Sequence, residues 1–205
     1  MVTLTQEMRN SLSPLQALEM LKDGNHRFVT NLKVNRNLLQ QVNDTSDGQY
    51  PFAFILSCID SRTSAELIFD QGLGDIFSCR IAGNILNEDI LGSMEFACKI
   101  AGAKVIMVLG HSECGAIKGA CENIKMGNLT TLLKKIKTVT KKLAKKTNFD
   151  QKSSDFIDLV TKENVKNVLL QIPKKSKIIR DLIKNNKIIL TGAVYDVSSG
   201  KVDFN

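Results

Sequence analysis

Histidine is scarce in this chain of 205 residues: there are two, His26 and His111. Any metal site must therefore draw most of its donors from elsewhere. No apolar stretch approaches the roughly 20 residues needed to cross a bilayer, since even the run 105–110 is hemmed in by polar residues. No charged-then-apolar segment opens the sequence, and five Cys is an odd number whose spacings suggest no disulfide framework. These absences lead us to expect a protein that does not span a membrane and works in a reducing, cytoplasmic setting. Internal repeats, low-complexity tracts and domain linkers are also missing. With 43% apolar and 24% charged residues, the expectation is one domain over 1–205, made of an arm and strap at 1–50 and an α/β core at 51–205.

Acid is missing from one long segment. Between Asn123 and Phe149 stand eight Lys and no Asp or Glu, which exceeds the net charge of +7 carried by the whole chain. Leu129, Leu132, Leu133, Ile136, Val139 and Leu143 recur there at helical spacing, so the lysines read as the solvated face of an amphipathic helix. The helix has no aromatic or Arg for base stacking or groove reading, which argues against a nucleic-acid partner.

The remaining pattern alternates. A helix with a Ser13-Pro14 start is expected to run to about Asn31, followed by an extended polar connector at 35–49. Together they read as an arm and strap that embrace another subunit. Buried strands are predicted at 52–57, 76–81, 105–110 and 188–194, with helices near 64–69, 87–101 and 115–124 between them. Two more helices are expected at 155–171 and 174–185, separated by Pro173. Such alternation implies an α/β fold with a central, mainly parallel sheet flanked by helices, in which ligands gather beyond the carboxyl ends of strands.

Two fragments fall at those ends: Cys58-x-Asp60-x-Arg62 and His111-x-x-Cys114. Two thiolates and one imidazole are zinc donors. They fall one strong ligand short of a closed structural site, which leaves a position for water and favours catalysis. Two thiolates donate more charge than three histidines and resist acidification of that water, so a helper is expected. Asp60 fits the role as a hydrogen-bond acceptor, with Arg62 fixing it through a planar fork that Lys would lack. Cys114-Gly115 at a helix entry favours a thiolate. Cys79, Cys98 and Cys121 read as small buried apolar residues, and His26 as an exposed or interface residue.

Residues 49–62, then Glu66 through Asp75, Arg80-Ile81-Ala82-Gly83-Asn84, Gly110 through Cys121 and Gly192 through Asp196 together resemble the β-class carbonic anhydrases, in the plant-like branch. The resemblance covers nearly the whole chain. It implies one zinc per subunit on Cys58, His111 and Cys114, an orienting pair Asp60 and Arg62, and reversible hydration of carbon dioxide to bicarbonate and a proton by zinc-bound hydroxide. It also implies a homodimer or tetramer whose amino-terminal helices wrap the partner. Gln49 matches a substrate-binding glutamine, and Gly83 lies in a turn beside the site that permits close backbone approach. Ile59 and Thr63 stand where a small residue and Val are commoner. Two other readings follow: a carbon disulfide or carbonyl sulfide hydrolase on the same scaffold, and a non-catalytic, zinc-stabilised interaction module.

Overall fold

A computed structural model describes residues 3–204. Its centre is a five-stranded sheet of β1 (Ala53–Ser57), β2 (Ile76–Arg80), β3 (Val105–His111), β4 (Ile189–Tyr195) and β5 (Val202–Phe204), in the order β2-β1-β3-β4-β5. The first four are parallel and β5 runs antiparallel to β4. Every residue of β1 and β3 is buried, as a strand covered on both faces requires. Alternation sorts their side chains: Phe54, Leu56, Ile106 and Val108 enter one apolar cluster, while Ala53, Ile55, Val105, Met107 and Leu109 enter the other.

Nine helices surround the sheet among the described residues: α1 (Gln6–Ser11), α2 (Pro14–Val29), α3 (Leu38–Asp44), α4 (Ala65–Ile68), α5 (Glu88–Glu95), α6 (Gly115–Cys121), α7 (Gly127–Ala144), α8 (Ser154–Lys175) and α9 (Lys177–Lys184). α2 begins as its sequence predicts, with Ser13 and Gln16 forming a reciprocal cap around Pro14. It is seated on this chain's own core. Asn25 Nδ2 donates to the carbonyls of Ile68 and Gly200, and its Oδ1 accepts from Val202 N–H. Gly24 is required at this crossing, because a Cβ there would lie 1.8 Å from the Phe69 carbonyl oxygen.

The connector at 35–49 is not extended throughout. Asn37 caps the two turns of α3, and Gln41 turns inward to accept from Leu73 N–H. Leu38, Leu39 and Val42 of α3 remain exposed. The second departure is at Pro173, which lies inside α8 instead of ending it. A missing N–H near a helix end removes one bond only, and the break falls at Ser176, whose extended backbone and side chain cap α9. Residues 96–100 form a π-helical turn after α5, and β5 had no counterpart in the sequence pattern. α7 follows its predicted face, with Leu133, Ile136, Val139 and Leu143 buried. No helix of the described residues is long and apolar enough to cross a membrane.

Candidate metal centre

The parallel strands β1 and β3 end side by side and deliver the first two donors. Cys58 follows the last residue of β1, and His111 is the last residue of β3. After His111 the chain turns through Glu113, whose φ of 58° is left-handed, and Cys114 becomes the cap of α6. The two sulfurs are 3.9 Å apart, and one donor atom from each of Cys58, His111 and Cys114 lies within 4.8 Å of the others. All three residues are buried, at 4%, 1% and 1% exposure. Cys79, Cys98 and Cys121 are free and outside the cluster.

The donor atoms are prepared for a cation. His111 Nδ1 lies 2.8 Å from the Ser112 carbonyl oxygen; a carbonyl can only accept, so Nδ1 carries the proton and Nε2 presents a lone pair. That Nε2 is buried and has no hydrogen-bond partner. Between the thiols, the hydrogen bond from Cys114 lowers the Cys58 pKa, helped by the Gly83 N–H and set against the opposing effect of burial. The same bond, then burial, holds Cys114 well above the ordinary thiol value, while amides at the start of α6 pull the other way. Two close sulfurs and a partnerless imidazole nitrogen in an apolar wall fit a zinc ion, which would hold both sulfurs as thiolates. Asp60 is not a member of the close cluster.

Asp60 is instead gripped by its neighbour. Arg62 Nε donates to Oδ1 at 2.9 Å and Nη2 to Oδ2 at 2.8 Å, and the Arg62 backbone N–H adds a third bond to Oδ1 at 3.0 Å. The guanidinium holds the carboxyl well below its usual range, against the opposing effect of burial. The turn that carries the pair is tied by residues that sequence reasoning did not assign. Thr63 Oγ1 is within bonding distance of the carbonyls of Cys58 and Asp60, and Arg80 donates to both of the same carbonyls. Thr63 was visible only as a departure from a commoner Val; Arg80 was visible only as the start of the family-like run 80–84, and its contacts were not foreseen because its partners lie 22 and 20 residues away.

Gly83 approaches as expected. Its N–H points to Cys58 Sγ at 3.4 Å, its φ is +68°, and an added Cβ would stand 2.6 Å from Ile136 Cδ1. Asn164, inside α8, donates to the Gly83 carbonyl at 3.0 Å; nothing in the sequence of that helix signalled it. Gln49 is not brought to the cluster within this chain. It is exposed and leads into the amino end of β1, whereas Cys58 leaves the carboxyl end. His26 is exposed on α2.

A family model described as carbonic anhydrase matches residues 53–202. This chain belongs to the β-carbonic anhydrase family. It is 32% identical over 193 residues to carbonic anhydrase 2 of Mycobacterium tuberculosis, a match covering 92% of this chain and 91% of that protein. It is 28% identical to beta carbonic anhydrase 3 of Arabidopsis thaliana, covering 98% and 81% of the two chains. Among solved structures, a tetrameric β-carbonic anhydrase of Sordaria macrospora superposes with a TM-score of 0.73 at 23% identity, covering 80% of this chain and 89% of that one. The last match bears on the fold alone.

Proposed function

We propose that this β-carbonic anhydrase hydrates carbon dioxide reversibly to bicarbonate and a proton at one zinc ion per subunit, held by Cys58, His111 and Cys114. The observation that carries the reading is the buried, partnerless Nε2 of His111 within 4.8 Å of two sulfurs that lie 3.9 Å apart. Bound there, zinc supplies a Lewis acid that lowers the pKa of water in the position the three donors leave free. Asp60 would accept a hydrogen bond from that water and fix the direction of its lone pair. The two-pronged grip of Arg62 keeps Asp60 ionised and holds it away from the sulfurs. Gly83, through its N–H, steadies the Cys58 sulfur and lets Ile136 close the apolar wall. Ile85 and Ile117 belong to the same wall, which suits a small molecule without charge.

The active unit on this reading is one domain per chain, assembled as a homodimer or tetramer. Support comes from Gln49, which stands at the wrong end of β1 for its own cluster, so its contact with substrate would be made in a second copy. The exposed Leu38, Leu39 and Val42 of α3 offer apolar surface for that contact. Free thiols at the centre suit a reducing cytoplasm. The non-catalytic module is less well supported, because three close donors leave the site open and α7 turns its lysines to solvent.

Stopped-flow assays on zinc-quantified protein with carbon dioxide, carbonyl sulfide and carbon disulfide test the proposal. Fast hydration of carbon dioxide, in proportion to bound zinc, is expected. Turnover of a sulfur substrate alone, or no turnover by fully loaded protein, would overturn it.

A further inference from the structure

The amino end of the sheet holds a charge that the proposed chemistry does not use. Arg9 on α1 is 8% exposed, and its Nε is buried with no hydrogen-bond partner. Its guanidinium lies over Gly102, so close that a Cβ added there would stand 1.4 Å from Nη1; the φ of Gly102 is +81°. Two residues later Lys104 leads into β3. Beside it Lys187 leads towards β4, where the Ile189 N–H donates to the Lys104 carbonyl at 2.9 Å. Burial first, then the charges of Arg9 and Lys187, lowers the Lys104 pKa.

None of these three cations forms an ion pair with a carboxylate among the described residues. A guanidinium does not shed its proton to escape burial, so an unpaired one is costly unless an anion joins it. Arg9 is too deep to meet a flat surface, whereas Lys104 is half-buried and Lys187 exposed. Cations graded from interior to rim suit a small ion with several oxygens, to which Arg offers a fork and Lys a point charge. β3 is seven residues long, so this corner lies about 20 Å from the sulfur cluster at the other end of the sheet.

We propose that Arg9, Lys104 and Lys187 form a binding site for a small oxyanion, of the phosphate or bicarbonate type, remote from the metal ligands. The test is titration of zinc-loaded full-length protein with inorganic phosphate at fixed ionic strength, read by the thermal midpoint and by calorimetry, with bicarbonate as a second arm. Binding that chloride does not reproduce is expected, weakened about tenfold or more by Arg9→Gln and by Gly102→Ala, which displaces the guanidinium. Lys187→Gln, on an exposed residue that is safe for folding, should weaken it about threefold. If Arg9→Gln does not fold, an unchanged affinity in Lys187→Gln overturns the proposal. So does a midpoint shift that chloride matches, or the absence of a response to either anion. A fourth contrary result is an oligomer that dissociates in Arg9→Gln while the wild type ignores both anions, since the missing charge would then be a carboxylate of a second copy. No arm reads hydration activity, and the loss of binding in Arg9→Gln and Lys187→Gln separates this site from any anion held at the zinc centre.

Discussion

Asp60 and Asp70 are each held by arginine, and the two contacts do different work. Asp60 meets Arg62 two residues away on a turn where the Arg side chain is 49% exposed and the carboxylate 18% exposed. Asp70 is 3% exposed and is gripped from a distance: Arg27 Nε donates at 2.6 Å and Arg36 Nη1 at 2.5 Å, and Val34 N–H adds a third bond. Burial raises the Asp70 pKa, but the two guanidiniums outweigh it and the group lies below its ordinary range. The local pair fixes a carboxylate on the turn after Cys58 and leaves it reachable. The distant one clasps α2 and the following strap onto the core, and its φ of 46° shows how far the backbone bends to present it. Equal chemistry therefore holds a carboxylate within reach of solvent or fastens distant segments together, according to burial and sequence separation.

The sharpest way to break the comparison is to make the same substitution in both. Asp60→Asn should keep its zinc and its thermal midpoint while the hydration rate falls about 10²–10⁴-fold, because an amide is a poor acceptor for the water's proton; stopped-flow on metal-quantified protein checks this. Asp70→Asn should show the reverse. It removes the carboxylate charge that faces two arginines, one of them nearly buried, and is expected to cost about 3–5 kcal/mol in denaturant unfolding, with the rate per folded molecule preserved.

Acid sharpens the contrast. A carboxyl whose folded pKa lies below its unfolded value, about 3.9 for Asp, contributes stability that is complete above that value and lost as pH falls through the folded pKa. The stability gap between wild type and Asp70→Asn should therefore be constant near neutral pH and shrink below about pH 4, as equilibrium unfolding across pH will show. A smaller effect is expected at the turn beneath Asp60. Thr63→Val removes a buried hydroxyl that bonds the Cys58 and Asp60 carbonyls, at about 1 kcal/mol in the same assay. Smallest of all, Glu163→Gln breaks an exposed pair with Lys166 and should move stability by less than about 0.5 kcal/mol.

The same contrast explains what the sequence disclosed. Asp60 and Arg62, the four parallel strands and the approach of Cys58, His111 and Cys114 were readable, because each depends on spacing within a few residues or on strands that end at one edge of a sheet. The clasp on Asp70 was not, since Arg27 and Arg36 lie 43 and 34 residues before it. Asn164 under Gly83 and Arg80 on the Cys58 turn were hidden for the same reason. α3 was missed because its polar residues resemble a connector; Asn37 caps it, and Gln41, turned inward against Gly72 and Leu73, docks it. The short β5 lacked the length for a strand pattern and exists through its pairing with β4.

The central claim is that Cys58, His111 and Cys114 hold zinc with one corner left to water while Arg62 keeps Asp60 off the metal. X-ray absorption at the zinc edge, on loaded wild type and on Asp60→Ala, tests it most directly. The account predicts two sulfur, one nitrogen and one oxygen neighbour in both proteins. An oxygen neighbour that vanishes with the Asp60 side chain, or a shell without two sulfurs, would contradict it.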